Sequence, residues 1–312
     1  MKKAFFLGLT GSFFFAFTFI LNRSMHLSGG SWIWSASLRY LFTFPIFAFI
    51  VWKKYGFSRI HGAIAAAPGA WLLWSTVGFG LFYAPLSFAG DLGESWLIAA
   101  SWQITIVMGL LLAPLFGKGV PVRNLGAAGI ILLGVFLLQL GNVGTLSLSA
   151  MWQVLLPVLV AAAAYPLGNR KTMALCGEQF STIERIYCMT LCSLPFWLAL
   201  GAFGLATQGP PAGGQVFQAF LVALFSGVAA TLCFFRATDL VRNSQRQLAV
   251  VESTQSGEVV FTLLGGVLFL DDALPAPVGF AGIFLIVVGM ILNSFLSAAR
   301  APRPAACGHK RP

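Results

Sequence analysis

Residues 21–40 read LNRSMHLSGGSWIWSASLRY, and residues 167–187 read LGNRKTMALCGEQFSTIERIY. Each holds an Asn-Arg pair, Asn22-Arg23 and Asn169-Arg170, followed by a second arginine, Arg39 sixteen residues after Arg23 and Arg185 fifteen after Arg170. The first pair follows the first apolar run of the chain and the second follows the sixth. In a membrane protein an odd-numbered and an even-numbered crossing end on opposite faces. The two stretches therefore read as one five-helix unit written twice and inverted, the sequence mark of an inverted-repeat transporter.

Composition bounds the class. Of 312 residues, 58% are hydrophobic and only 9% charged, and the mean hydropathy is +0.86, which excludes an ordinary soluble globular domain. A run of about 20 apolar residues crosses the hydrocarbon core, and lipid admits only structures that satisfy their own backbone, so each run reads as a helix. Ten runs fall near 4–21, 31–52, 68–89, 95–116, 124–140, 149–168, 183–205, 216–236, 248–270 and 278–298. The expected fold is an all-α integral membrane protein of ten transmembrane helices in two inverted five-helix repeats. Ser-Gly-Gly at 28–30, Gly-Lys-Gly-Val-Pro at 117–121, Gly-Pro-Pro at 209–211 and Pro-Ala-Pro at 275–277 punctuate the runs, and no connector holds a soluble domain. The opening MKKAFFLGLTGSFFFAFTFIL starts like a signal peptide but lacks an A-x-A-like cleavage site and is long enough to span, so it reads as a retained first helix. Cys176, Cys188, Cys192, Cys233 and Cys307 form no C-x-x-C pair and read as small apolar residues.

The net charge of +10 is dispersed in twos and threes between apolar runs, not gathered in a patch, so the implied partner is a lipid bilayer and not nucleic acid. With the N-terminus in the cytoplasm, the inner segments hold Lys2, Lys3, Lys53, Lys54, Arg59, Lys118, Arg123, Arg170, Lys171, Arg242, Arg246, Arg300, Arg303, Lys310 and Arg311. The outer loops hold Arg23 with Asp91, Glu94, Asp271 and Asp272. That bias puts both termini on the cytoplasmic side of a bacterial-type plasma (inner) membrane. The repeat extends to the fifth run, LGAAGIILLGVFLL, and the tenth, VGFAGIFLIVVGMIL, whose Gly134 and Gly289 are 155 residues apart. Inversion also fits the segments after runs four and nine: Lys118 makes the first basic and inner, Asp271 and Asp272 make the second acidic and outer. The units are expected at 1–146 and 147–299, with a basic cytoplasmic tail at 300–312.

A first run leading to Asn-Arg, the Arg39-Tyr40 pair in the second and the glycine-rich helix closing each unit resemble the drug/metabolite transporter superfamily, and within it the ten-helix multidrug resistance efflux transporter-like exporters. The resemblance covers essentially the whole chain. It implies a secondary active exporter of small organic molecules, drugs or metabolites, cationic or aromatic ones among them, working by alternating access and not as an enzyme. Members carry an acidic residue after the fourth helix of each unit; Asp272 in Phe-Leu-Asp-Asp fits in the second, whereas the first departs with Gly117 and Lys118. Four-helix relatives carry an essential glutamate in their first helix, where this chain has only Ser12, Thr18 and Asn22, so that mechanism does not transfer. Ten helices complete the family's unit, which makes a monomer the default by analogy, with a dimer as the alternative.

Ionisable groups inside a span cost roughly 2.5 to 3.5 kcal/mol and call for a partner or a task. Glu258 lies about ten residues into run nine, near the midplane at about 1.5 Å per residue, within the polar stretch ESTQSGE at 252–258. Such a stretch reads as a broken or cavity-lining helix. The 155-residue shift sets Glu258 opposite Gln103 in run four, so the two are expected to face one central cavity. Glu258 is the expected proton-coupling or cation-binding carboxylate, with H⁺ as the coupling ion; the alternative is a structural ion pair with Arg39 or Arg185. Arg39 has three readings: an ion pair, a substrate contact, or a side chain snorkelling outward. Arg185, beside Glu184, reads as an interfacial anchor. Tyr40, Trp74, Tyr83, Trp102, Thr254, Gln255 and Glu252 are cavity-lining candidates, their aromatics suited to flat or cationic ligands. No cofactor or metal is implied: His26, His61 and His309 have no ligand spacing, and no glycine pair follows a strand as a phosphate loop requires. Two other readings stand: a facilitative or exchange carrier for a metabolite such as an amino acid or nucleoside, and, more remotely, a membrane enzyme or scaffold.

Overall fold

The computed structural model describes residues 1–117, 122–142, 148–177, 179–241 and 245–300, and among these it holds helices and turns but no strand. Eight helices are long and apolar enough to cross a membrane. In chain order the helical segments are α1 (Lys2–Leu27), α2 (Trp32–Lys54), α3 (Pro68–Gly90), α4 (Ser95–Leu111), α5 (Val122–Asn142), α6 (Leu148–Cys176), α7 (Thr182–Gln208) and α8 (Gly213–Thr238). The ninth, α9, is two helices, Gln245–Ser253 and Gly257–Phe269, joined by a 3-10 turn at Thr254–Ser256, and α10 is Pro277–Arg300. The short α4 and the broken α9 are the two that fall outside the eight. A further short helix, Ser58–Ala66, precedes α3; its few apolar residues give no membrane-length run.

Several expected ends are corrected. The first and sixth helices do not stop before their Asn-Arg pairs but run on to Leu27 and Cys176, so Asn22-Arg23 and Asn169-Arg170 are helical. Nothing between Asn22 and Leu27, or between Asn169 and Cys176, breaks a helix; the chain turns only at Gly29 (φ 78°) and Gly177 (φ 55°), in the left-handed backbone that glycine enters without a Cβ penalty. The fourth run ends at Leu111 and closes through a 3-10 turn, Ala113–Phe116, on Gly117. Lys118, Arg242, the expected boundary at 146/147 and residues 301–312, with Cys307 and His309, lie outside the described residues.

The irregularities come in pairs. π-helical turns occupy Thr76–Gly80 in α3 and Ala223–Ala230 in α8, and such turns recur at functional sites. The chain breaks at Gln103 in α4, between Ser95–Trp102 and Ile104–Leu111, and at Thr254–Ser256 in α9. The packing has the same five-helix rhythm: α1 lies on α8 and α9, α6 lies on α3 and α4, α2 on α7, and α5 on α10. The α5–α10 contact is glycine-lined, a Cβ on Gly134 meeting Gly282 and Ile286 and one on Gly289 meeting Ile131. Where α6 crosses α3, a Cβ on Gly168 would run into the backbone of Gly78 and Trp74, so that position has no room for a methyl group. In lipid, small residues let helices approach where no hydrophobic drive exists between them.

Outward, the bundle presents Phe6, Phe49, Trp52, Leu198, Phe217, Leu268 and Phe269, all exposed. So continuous an apolar exterior suits acyl chains and not water. Inside, Tyr40, Tyr83, Trp96, Trp102 and Trp197 form the centre of the largest core cluster, with the Tyr40 and Trp197 rings stacked at 4.4 Å.

Polar contacts tie the two ends. At the end carrying the N-terminus, Arg59 pairs with Glu184, and Glu184 closes a capping box with Ser181 at the start of α7. At the opposite end, Asp272 accepts from the Ser95 N–H at 2.9 Å and the Ser95 hydroxyl, with Arg23 Nε 3.7 Å from its other oxygen. Trp96 Nε1 donates to the Ala273 carbonyl (2.9 Å), and Gln215 Nε2 to the Ser31 carbonyl (2.6 Å) and the Ser35 hydroxyl (3.1 Å). His26 lies 3.4 Å from Asp91, which also accepts from the Trp32 N–H. Burial raises the Asp91 carboxyl to about 6 against the opposing pull of His26, the Trp32 N–H and Arg23, so this contact gains its negative charge as pH rises through that value.

Candidate functional site

A cavity of about 310 Å³ lies where α1 to α4 meet α6 to α9, and α5 and α10 contribute nothing to its wall. Its floor is made by the two breaks. Gln103 stands at the interruption of α4 and Glu258 opens the second half of α9, one turn beyond Gln255; all three line the cavity. Gln103 lies close enough to act on the Glu258 carboxyl, while its Nε2 donates to the Ala99 carbonyl at 3.0 Å. Loosened backbone at membrane depth is tolerated where it faces such a cavity.

Arg39 enters from α2. It is 9% exposed, its guanidinium carbon lies 3.9 Å from the centre of the Tyr83 ring and 5.7 Å from that of Tyr40, and Nη2 donates to the Ser226 hydroxyl at 3.1 Å. Ser226 shares a second hydrogen bond with Thr18, which fixes the arginine between α1 and α8. Arg39 Nη1 is buried with no hydrogen-bond partner. Arg185 is not the interfacial anchor its position near the start of α7 suggests: it lines the cavity, and its Nε is likewise buried and unpartnered. Among the described residues neither arginine lies within 4.0 Å of a carboxylate, so the ion pair of Glu258 with Arg39 or Arg185 does not form. Ser226 and Tyr83 hold Arg39 on one side, and Glu258 stands with Gln103 in the lining. Arg39 still acts on Glu258 through space, and the Tyr165 hydroxyl feels Arg185, Glu258 and Arg39 together.

Of the other candidates, Tyr40, Trp102 and Gln255 line the cavity, whereas Trp74, Tyr83, Thr254 and Glu252 do not. Trp74 lies under the Lys171 ammonium at 5.2 Å. Tyr83 sits behind Arg39, fully buried, its hydroxyl donating to Asn22 Oδ1 at 3.2 Å. Thr254 is turned away, its hydroxyl donating to the Val251 carbonyl (2.6 Å) and its side chain set against Gly8. Tyr165, Asn169, Arg185, Thr190 and Ser226 also line the cavity, and sequence reading did not select them. One signal was present: Arg185 is the repeat partner of Arg39. The lining reaches from Leu86 and Phe19 down to Asn169, Arg185 and Phe235, toward the end that carries the N-terminus, while the polar contacts of Asp272, Gln215 and Asp91 cover the other end.

Comparison with known proteins finds one family over nearly the whole chain. The profile of the EmrE family, described as "Putative multidrug resistance efflux transporter", matches residues 2–299. The chain belongs to this family. It is accordingly a multi-pass membrane protein of a transporter family. It is 46% identical over 317 aligned positions to "Uncharacterized protein YjlA" of Bacillus subtilis (strain 168), across 97% of this chain and 98% of that protein. It is 43% identical over 280 positions to the "Uncharacterized 42.1 kDa protein in intracellular alkaline protease 3'region" of Shouchella clausii, across 86% of this chain and 74% of that one.

Proposed function

We propose that this EmrE-family chain is a secondary active exporter of small organic molecules, built of ten spans in two inverted five-helix units, with cytoplasmic termini in the plasma membrane and protons as the coupling ion. The observation that carries this reading is the meeting of Gln103 and Glu258, at the breaks of α4 and α9, in one central cavity. Transporters of inverted repeats bind at the midplane on discontinuous helices, and here the discontinuities are paired: α3 with α8 by their π turns, α4 with α9 by their breaks. The main pairings repeat when every helix is moved on by five, α1 on α8 and α9 becoming α6 on α3 and α4, which supports counting α4 and α9 among the spans. Five crossings per unit make the second unit inverted.

The cavity reaches toward the end with the N-terminus and is covered at the other, which suits a carrier caught facing the cytoplasm. Protonation of Glu258 would remove the negative charge that Gln103 now meets and that Arg39 feels. Each such change shifts the balance between two arrangements of the bundle only by its differential effect on them. The test is flux in proteoliposomes with and without an imposed pH gradient, after a counterflow screen of a metabolite and drug panel has supplied a substrate. Glu258→Gln should lower gradient-driven flux by about tenfold or more, at least about 1.4 kcal/mol of coupling, and leave gradient-independent exchange in place. Gradient-driven transport at the wild-type rate in that variant would remove proton coupling through Glu258 and favour the exchange carrier.

A further inference from the structure

We propose that the ligand of this cavity is a small organic anion with an aromatic body, its acid group caught by Arg39 and Arg185; this names the substrate class and rests on the carrier reading above. The charge count at the site is the first ground. Two guanidinium groups and one carboxyl, Glu258, line the cavity. With Glu258 ionised the wall carries one net positive charge, which one monoanion brings to zero and one cation doubles, and in a site of low dielectric that difference decides binding.

The second ground is how the chain treats its other arginines. Arg59 is paired with Glu184 and Arg23 with Asp272, and Arg170 lies over the Phe116 ring at 5.5 Å. Arg23 Nε, Arg39 Nη1 and Arg185 Nε are all buried without a hydrogen bond, but Arg23 Nε faces the Asp272 carboxylate at 3.7 Å, whereas among the described residues the two cavity arginines have no carboxylate within 4.0 Å. A buried donor left unsatisfied is costly, more so when charged, and the planar fork of N–H donors in arginine matches a carboxylate on two bonds. Arg39 is already oriented, by Ser226 on one side and the Tyr83 face on the other, so little ordering remains for the ligand to impose. Both arginines line the same cavity as Tyr165. Beside Tyr165 stand the rings of Phe82 and Trp102, at 4.9 and 5.7 Å from it, with Phe79 also in the wall. Those faces suit a flat apolar body. A cation would also find aromatic faces here, but it would have to enter a wall that already carries a net positive charge.

The experiment uses four probes of one size on the purified full chain: 3-phenylpropionate, 3-phenylpropan-1-ol, 3-phenylpropan-1-amine and phenylalanine. Binding is read by quenching of tryptophan fluorescence and checked by thermal shift. The carboxylate should bind about tenfold or more tighter than the alcohol and the amine, with the zwitterion between. Arg185→Gln and Arg39→Gln should each abolish that preference, whereas Arg170→Gln, outside the lining, should keep it. Should Arg39→Gln not fold, the ranking on the wild type and the Arg185→Gln variant decide alone. An amine that binds as tightly as the carboxylate, a folded Arg185→Gln that keeps the preference, or no binding by any of the four overturns the proposal. Counterflow of the same probes in liposomes separates it from the carrier reading. A carboxylate that binds but is not moved leaves the anion site and removes the carrier; an amine preferred and moved does the reverse.

Discussion

Asp272 shows how an acidic residue can be prominent in the sequence for a reason other than transport chemistry. Its side chain is 1% exposed, and it holds the start of α4 through the N–H and hydroxyl of Ser95 while facing Arg23 at the end of α1. Replacing it by alanine strands a buried N–H, a hydroxyl and a guanidinium, so Asp272→Ala should cost about 2 to 4 kcal/mol, and Asp272→Asn less, because the amide oxygen still accepts from Ser95. Thermal unfolding of the detergent-purified variants measures this; an Asp272→Ala midpoint equal to the wild type would show the contacts to be idle. At this scale the sequence disclosed what depends on residue type and register. Glu258 was conspicuous because a carboxylate inside an apolar run needs a reason, and Gln103 followed from the 155-residue shift. Arg185 was misjudged because depth along a helix does not fix where a long side chain goes; the packing of α7 against α2 and α3 turns it inward. Trp74 and Tyr83 failed as cavity residues for the complementary reason that aromatics pack equally well behind a wall as in it.

The helices themselves were legible wherever continuous apolarity decides, and their ends were not, since Asn-Arg neither breaks nor ends a helix and only the following glycine does. The π turns of α3 and α8 left no mark in the apolar pattern, because one extra residue per turn changes the helix without changing hydropathy. The glycine-rich stretches in α5 and α10 did signal close approach, and Gly134, Gly282 and Gly289 now make that contact. A close backbone approach, between Gly168 and Gly78, lies where the α3 π turn meets α6. A methyl on Gly168 would meet backbone, which cannot rotate away, so Gly168→Ala should destabilise by about 2 to 4 kcal/mol as overpacking does. Gly126, on α5, has open space around its Cβ position, and Gly126→Ala should stay within about 0.5 kcal/mol of the wild type. Thermal midpoints of the two variants side by side check this; equal midpoints would mean that α3 and α6 can part without cost.

Across the whole molecule, charge bias in the loops predicts a direction for the chain, and the proposed repeat would give a reason for two ends that behave alike in turn. Which end is covered was not readable, since that is a matter of which arrangement is more populated and not of composition. In the arrangement described here the covered end is held by polar contacts between early and late parts of the chain, Gln215 to Ser31 and Ser35, Trp34 Nε1 to the Gly209 carbonyl, and Asp272 to Arg23 and Ser95. Each is a hydrogen bond or ion pair of modest strength near a membrane surface, worth about 0.5 to 1.5 kcal/mol net for a typical hydrogen bond, so together they can be undone and remade within one transport cycle. If the carrier alternates, tying this end shut must stop flux and spare binding, because the cavity is reached from the other end. Ser35→Cys with Gln215→Cys, in a chain whose native cysteines are replaced by alanine or serine, puts a thiol on each of two side chains that now meet, Gln215 Nε2 and the Ser35 hydroxyl 3.1 Å apart. Oxidation, or a short bis-thiosulfonate bridge, should lower counterflow about tenfold or more while leaving ligand affinity within about twofold, and a reductant should restore the flux. Undiminished flux through the bridged protein would mean that α2 and α8 stay together throughout the cycle, and the moving parts would then have to be sought around α4 and α9.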